Sequence, residues 1–343
     1  MKLYAILAAS VCVATLPAYA EETVSYASYG GAYQEGVRKA ILDHLPTDHG
    51  MTVVDYVLAG GIRDIRTKVA ANANDLDVVE LYGGFCETAA KEGLLEKLDY
   101  SKIPNSAGIP ENLRHEYWIG FTAYSTVLAY NTNVYGDNPP QNWADFFDFD
   151  KFPGTRGVGA AYPSSNMEIA LMADGVPKDQ VYPIDMDRAM KKWAEFKPHL
   201  TVSWSSGAQA TQLATSEEVD MLTIWAARID AAIKEGAPYA YTLNDAVMDV
   251  ECLVIPKGSP NPEGAMRLVN HLLDPVYQAN LPDFIPYGPM NQDAFKLGLI
   301  TPEKAAGVVT STENLAKQLI TDMGYWSEHV NDAQTKWDAV MLQ

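Results

Sequence analysis

Aromatic residues beside glycines recur along this chain where apolar, strand-like runs end. In "VSYASYGGAYQEG" Tyr29 and Tyr33 flank Gly30 and Gly31 just after the run Val24 to Ser28. "VVELYGG" sets Tyr82 before Gly83 and Gly84, and "IPYGPMN" holds Tyr287 in a Pro-Gly loop. "MLTIWAAR" ends an apolar run on Trp225, with Arg228 one helical turn later. A ring face attracts a cation through its quadrupole, and neighbouring glycines would let a ligand approach the backbone. Negative charge comes from Asp249 and Glu251 in "DVECLVI". A spacing of two places both on one face of a strand, and a carboxylate in so apolar a run is costly to bury without a cation. The chemistry on offer is therefore non-covalent: aromatic walls and a charge-assisted hydrogen bond around an amine. Arg228 opens two further readings, a bidentate grip on a carboxylate or an ion pair with Glu251 that holds the empty site together. Each ring alone has a plainer reading as packing; their recurrence at strand ends points to Tyr29, Tyr82, Trp225, Arg228, Glu251 and Tyr287 as ligand-binding residues. Glu80, in "VVELYG", poses the same question as Glu251.

Covalent chemistry finds little support. The 6 histidines show no H-E-x-x-H or comparable metal spacing. There is no G-x-S-x-G elbow, no Walker loop and no G-x-G-x-x-G. Cys86 opens a helix but has no histidine near it in sequence. No catalytic residue, metal ligand or cofactor is expected.

The elements that must position these residues alternate. "MTVVDYVLAG" and "DLDVVELYGGF" read as strands, each followed by a helix, in "GIRDIRTKVAANAN" and "ETAAKEGLLEKLD". That order argues for a mostly parallel sheet. The run Thr126 to Asn131 leaves this first unit, Pro139 and Pro140 open a second α/β unit, and "AVMDVECLVIPKG" is a long strand that returns. Helices are expected in "NPEGAMRLVNHLLD", "TENLAKQLI" and "NDAQTKWDAVML". Two crossings without a Gly/Ser tether imply two lobes with strand hinges and a cleft between them.

The chain opens with Lys2, an apolar stretch from Leu3 to Leu16 and Ala18-Tyr19-Ala20, the pattern of a cleaved secretory signal peptide over 1–20. The formal net charge of −19 repels nucleic acid. Cys86 and Cys252, the two of 3 cysteines that follow the signal, are either a disulfide or two buried apolar side chains.

Together, "YGGAYQEG", "DVVELYGG…KEGLLEKLD", "STVLAYNTNVYG", "NWADFFDFDKFPGTRGV", "IWAARIDAAIKEG" and "DVECLVIPKGSPNPEGAMRLVNHLL" resemble the periplasmic solute-binding proteins of ABC importers, in their spermidine/putrescine-binding branch. The resemblance implies a type II two-lobed α/β fold with a two-strand hinge, lobe 1 being 21–131 and 251–295 and lobe 2 being 132–250 and 296–343. It implies a monomer in the periplasm that captures a small amine, polyamine-like, and delivers it to an inner-membrane ABC permease without turning it over. Carried onto this chain, the family's aromatic walls fall on Tyr29, with Tyr33 beside it, and on Trp225 and Tyr287, and its main amine-binding acid falls on Glu251; Tyr82 falls on the second loop, where the family often has a small hydroxyl residue. The family's second acidic cluster would fall in "AAYPSSNMEIA", where this chain has Ser164, Ser165 and Asn166, with Glu168 displaced. That departure and Arg228 leave open an amino-acid-like, opine-like or quaternary-amine solute. Ferric ion held by tyrosinates and a secreted enzyme are the remaining readings.

Overall fold

The computed structural model describes residues 22–58, 60–160 and 163–341. The signal-peptide assignment to 1–20 lies outside them. Ten strands form one sheet: β1 (Glu22–Ser28), β2 (Met51–Val57), β3 (Val78–Tyr82), β4 (Trp118–Asn131), β5 (Arg156–Gly159), β6 (Val202–Trp204), β7 (Met221–Trp225), β8 (Tyr239–Val254), β9 (Gly288–Pro289) and β10 (Leu319–Ile320). Their order is β2-β1-β3-β8-β4-β7-β5-β6, with β10 on β8 and β9 on β4.

The two long strands organise everything else. Antiparallel β4 and β8 pair from Trp118↔Val254 to Asn131↔Tyr239, with a register shift between Thr126 and Leu128. β3 pairs with β1 on one side and, on the other, with the last residues of β8, Glu251 to Val254. β7 pairs with β5 on one side and, on the other, with the far half of β4, Thr126 to Tyr130. Parallel β1 and β2 extend the first side, and parallel β5 and β6 extend the second. The result is the two-lobed α/β architecture, joined by two strands that each serve both lobes. These strands are longer than the exit and return runs read from the sequence, because both of their ends are buried in a lobe.

Two large apolar clusters fill the interior, and the first runs through both sides of the sheet, since Leu222, Ile224 and Ile229 share it with Val24. Val24, Tyr26, Val79, Leu253 and Leu268 belong to the first; Trp143, Phe146, Trp193 and Trp337 belong to the second. Fully burying such a side chain contributes roughly 1.5–3 kcal/mol. Ile300 packs with Ala279 and Ala294, and Val309 joins the core that holds Val24.

Local chemistry explains the boundaries that matter for the site. Gly30 and Gly31 have φ of 71° and 57°, the left-handed region that glycine enters without steric cost. A Cβ on Gly30 would also fall 2.9 Å from Cγ2 of Val57. Glycine therefore makes the turn from β1 into helix Gly31–Ala40. Gly83 serves packing, since a Cβ there would lie 2.6 Å from Sδ of Met323 and 2.8 Å from the Val250 carbonyl oxygen. These glycines shape turns and close contacts, and Gly84 lines the cleft described below. Cys86 and Cys252 are joined in a disulfide, with Cα atoms 6.6 Å apart. It ties helix Gly83–Lys91 to β8 and removes Cys86 as a nucleophile.

A candidate amine-binding cleft

Carboxyl ends of the strands carry the site, as in other open α/β sheets. Tyr29 follows β1, Tyr82 ends β3, Trp204 ends β6 and Trp225 ends β7. Along the seam, β8 presents Asp249 and Glu251, and β4 presents Tyr124 opposite Asp249. These side chains line one cleft of about 580 Å³.

Glu251 is buried. Its Oε2 accepts from the Tyr29 hydroxyl at 2.5 Å, while Oε1 accepts nothing from the described residues. Burial, then the charge of Glu80, pushes its carboxyl up to about 8, against the opposing Tyr29 hydrogen bond. Tyr29 keeps 42% of its surface exposed, so its ring faces the cleft while its hydroxyl is enclosed among carboxylates. Tyr33 turns the other way and donates to Glu80 at 2.5 Å. Glu80 also accepts from Ser28 at 2.8 Å and from Tyr26. It is a satisfied support behind the cleft, raised by burial and held back by those hydroxyls.

Asp249 has three partners. Tyr82 and Thr321 each donate to its Oδ1 at 3.0 Å, and Ser165 donates to Oδ2 at 3.1 Å. Burial raises its carboxyl, and the three hydroxyls oppose the rise. Behind Trp326 lies Glu168, wholly buried, which takes hydrogen bonds from Tyr182 at 2.5 Å and from Trp326 Nε1 at 2.7 Å. Burial pushes it up to about 7, and its Oε2 has no partner among the described residues.

The rings form a connected wall. Trp204 and Trp225 meet edge to face at 5.1 Å, Tyr124 and Trp225 at 6.1 Å, and Tyr82 and Phe85 at 6.0 Å. Trp204 Nε1 is committed to the Thr223 carbonyl at 2.9 Å. The Trp225 indole N–H has no protein acceptor among the described residues.

Of the six residues singled out in the sequence, Tyr29, Tyr82, Trp225 and Glu251 line this cleft; Arg228 and Tyr287 do not. Tyr287 stands behind Tyr124, with ring centroids 5.2 Å apart. Arg228 is exposed, with its guanidinium laid over Gly207 so closely that a Cβ there would sit 2.3 Å from Nε. It makes no ion pair among the described residues, and Glu251 is held by Tyr29 instead. The ion pair with Glu251, one of the two readings offered for Arg228, is therefore replaced by a hydroxyl contact. Sequence reasoning passed over Tyr124, Trp204, Ser165 and Trp326 as site residues. Tyr124 and Trp204 had a signal, each an aromatic beside a strand-like run, and Ser165 stands in the loop where the family has its second acidic cluster; Trp326 arrives from a segment with no local mark of a cleft.

Residues 47–307 match the model of the bacterial extracellular solute-binding proteins. The chain belongs to that family. Among solved structures, this solute-binding protein is similar to an ABC transporter substrate-binding protein from Bradyrhizobium japonicum USDA 110, with 42% identity and a TM-score of 0.87 over 93% of this chain and 99% of that one. Among curated relatives it is 29% identical to the gamma-aminobutyric acid-binding protein of Pseudomonas aeruginosa, over 93% of this chain and 90% of the relative. It is 26% identical to spermidine/putrescine-binding periplasmic protein 1 of Haemophilus influenzae, over 77% and 75%. The resemblance read from the sequence is thus to the right family, and the relatives include both polyamine and amino-acid binders.

Proposed function

We propose that this solute-binding protein captures a small zwitterionic amine of the ω-amino-acid type in the periplasm and, as a monomer, delivers it to an ABC permease of the inner membrane without turnover. The observation that carries the reading is Glu251, a buried carboxylate with one free oxygen in an aromatic cleft whose lining contains no cationic side chain. An ammonium group supplies the missing charge. The ring faces of Tyr29, Tyr124 and Trp225 receive it. Closure of the lobes about β4 and β8 would complete its enclosure.

Arg228 supports the carboxylate half. It is unpaired at the rim beyond Trp225, close enough to Tyr287 for its charge to act on that hydroxyl. The free Trp225 N–H adds a donor. A polyamine is the second reading, favoured by the second cleft carboxylate, Asp249, though three hydroxyls already occupy it. Ferric binding fares worse, because burial and nearby carboxylates hold the Tyr29, Tyr82 and Tyr124 hydroxyls well above their usual range, against the phenolate that iron needs.

The test is titration calorimetry with γ-aminobutyrate, putrescine and spermidine. The ω-amino acid is expected to bind most tightly. Arg228→Ala weakens it about tenfold, the scale of a partly exposed ion pair with good geometry, and leaves putrescine unaffected or improved. Trp225→Ala weakens every amine by about thirtyfold, the equivalent of ~2 kcal/mol for one desolvated ring contact. Putrescine binding more tightly than γ-aminobutyrate to the unaltered protein would sink the zwitterion reading and favour the polyamine one.

A further inference from the structure

Two helices meet across one flank of the cleft. Helix Gly83–Lys91 follows β3, and the disulfide from Cys86 to Cys252 fixes it to the first-lobe end of β8. Helix Met323–Met341 is anchored elsewhere. Its Trp326, Ala333 and Trp337 pack in the cluster of Trp143 and Trp193. Trp326 Nε1 donates to Glu168 at 2.7 Å, and Trp337 Nε1 to the Ala160 carbonyl at 2.9 Å. The second helix starts on the hinge itself: β10, just before it, pairs with Val247 and Met248 of β8, and Met323 lies against Gly83.

Beyond that seat the helices are joined by Lys91. Its Nζ donates to Glu328 Oε1 at 2.5 Å and to Ser327 Oγ at 2.9 Å. Among the described residues no other ion pair joins an element of one lobe to an element of the other. Both charged side chains are exposed, so the pair adds little to the stability of the fold. The balance between open and closed lobes is a different matter. Those states differ by far less than folded and unfolded chains do, and a contact made in only one of them shifts the balance by its full worth. The disulfide matters here, because Lys91 cannot follow Glu328 unless its own lobe comes too. Phe85 and Val330 add an apolar component. Each lines the cleft from one of the two helices, and they keep 43% and 38% of their surface exposed; drawing the lobes together covers both. The plainer reading of Lys91 is an intrahelical pair with Glu87, 3.9 Å away and one turn back.

We infer that Lys91, with Ser327 and Glu328, is a latch between the lobes, which holds this flank shut around a bound solute and slows its release. Lys91 and Glu328 act on the solute only through the arrangement of the lobes. The latch does not depend on which amine the cleft takes.

The test is stopped-flow release of γ-aminobutyrate, putrescine and spermidine, using whichever of them the unaltered protein binds. Lys91→Glu and Glu328→Lys each speed release about fivefold, the upper range for one exposed ion pair, at an unchanged melting temperature. The double variant, with the two charges exchanged, returns to the original rate. Glu87→Gln, which removes only the intrahelical partner, leaves release as it was. The inference is overturned if both single reversals leave the rate unchanged, if the exchange fails to restore it, or if Glu87→Gln speeds release as much. It is overturned as well if the melting temperature falls in step with the rate in both reversals, since the pair then serves the fold and not the lobes. Should none of the three amines bind, the amine reading fails by itself and small-angle scattering of the solute-free chain decides the latch. A larger radius of gyration in each single reversal, returning to the original value in the exchange, supports it, and equal radii in all four proteins overturn it.

Discussion

Glu251→Gln lowers the affinity for γ-aminobutyrate by two orders of magnitude or more. Truncating one partner of a buried, hydrogen-bonded charge pair costs about 2–5 kcal/mol, and the bound ammonium has no substitute partner, since Asp249 is already engaged by Tyr82, Thr321 and Ser165. The amide still accepts from Tyr29 and is close in size to the acid, so the cleft keeps its shape. The same change removes a carboxyl whose ionised form is disfavoured by burial and by Glu80. The ligand-free variant should therefore melt at the same temperature as the unaltered protein, or higher. Calorimetry and a melting curve on one sample separate the two effects. Lost binding with a lowered melting temperature would mean that Glu251 holds the fold instead of the solute, and unchanged binding would move the site elsewhere.

Affinity should rise about fiftyfold between pH 6 and pH 8. The empty cleft holds Glu251 near 8, and an ammonium needs the ionised carboxylate. Below that value the protein must give up a proton before the amine can dock, and each pH unit costs about 1.4 kcal/mol, or a factor of ten. The bound ammonium lowers the carboxyl again, so binding releases a proton throughout the window between its bound and empty values. Above about 8 the affinity levels off, until the amine itself loses its proton near 10. Calorimetry at pH 7 in two buffers of different ionisation enthalpy should report close to one proton released per amine bound. Burial is the larger cause of the shift and Glu80 the second, while Asp249 adds a smaller push and Tyr29 opposes it. Glu80→Gln should accordingly move the rise to lower pH without abolishing it. An affinity constant from pH 6 to pH 8 would mean that Glu251 is already ionised in the empty cleft, and that the amine docks on a preformed charge.

The acid and its rings play different parts in this account. The rings are neutral at every relevant pH, because burial keeps their hydroxyls protonated. They supply a pH-independent contribution, and the pH dependence belongs to Glu251. Trp225→Ala should therefore lower the whole affinity curve and leave its slope with pH unchanged.

Much of this protein was determined by local sequence. The alternation of apolar runs with helical periodicity produced the α/β class and the two crossings, because burial on a sheet face or a helix stripe leaves a period that can be read directly. Tyr29, Tyr82 and Trp225 were legible for a related reason: each closes a run that must be a strand, and the carboxyl ends of such strands open onto the cleft. Glu251 was legible as a charge that an apolar strand does not otherwise tolerate.

Only the tertiary structure decided which partner each charge took. Tyr29 reaches Glu251 across 222 positions of sequence, and Thr321 reaches Asp249 across 72. No spacing rule encodes such pairs, so the bridge to Glu251, one of the two readings for Arg228, gave way to a hydroxyl contact. The second part of the helix Met323–Met341 was plain in "NDAQTKWDAVML", yet its periodicity could not say that Trp326, Asn331 and Gln334 would line the cleft. Local patterns report whether a residue is buried; what it is buried against depends on long-range docking of elements, in which side chains far apart in the chain compete for the same few contacts.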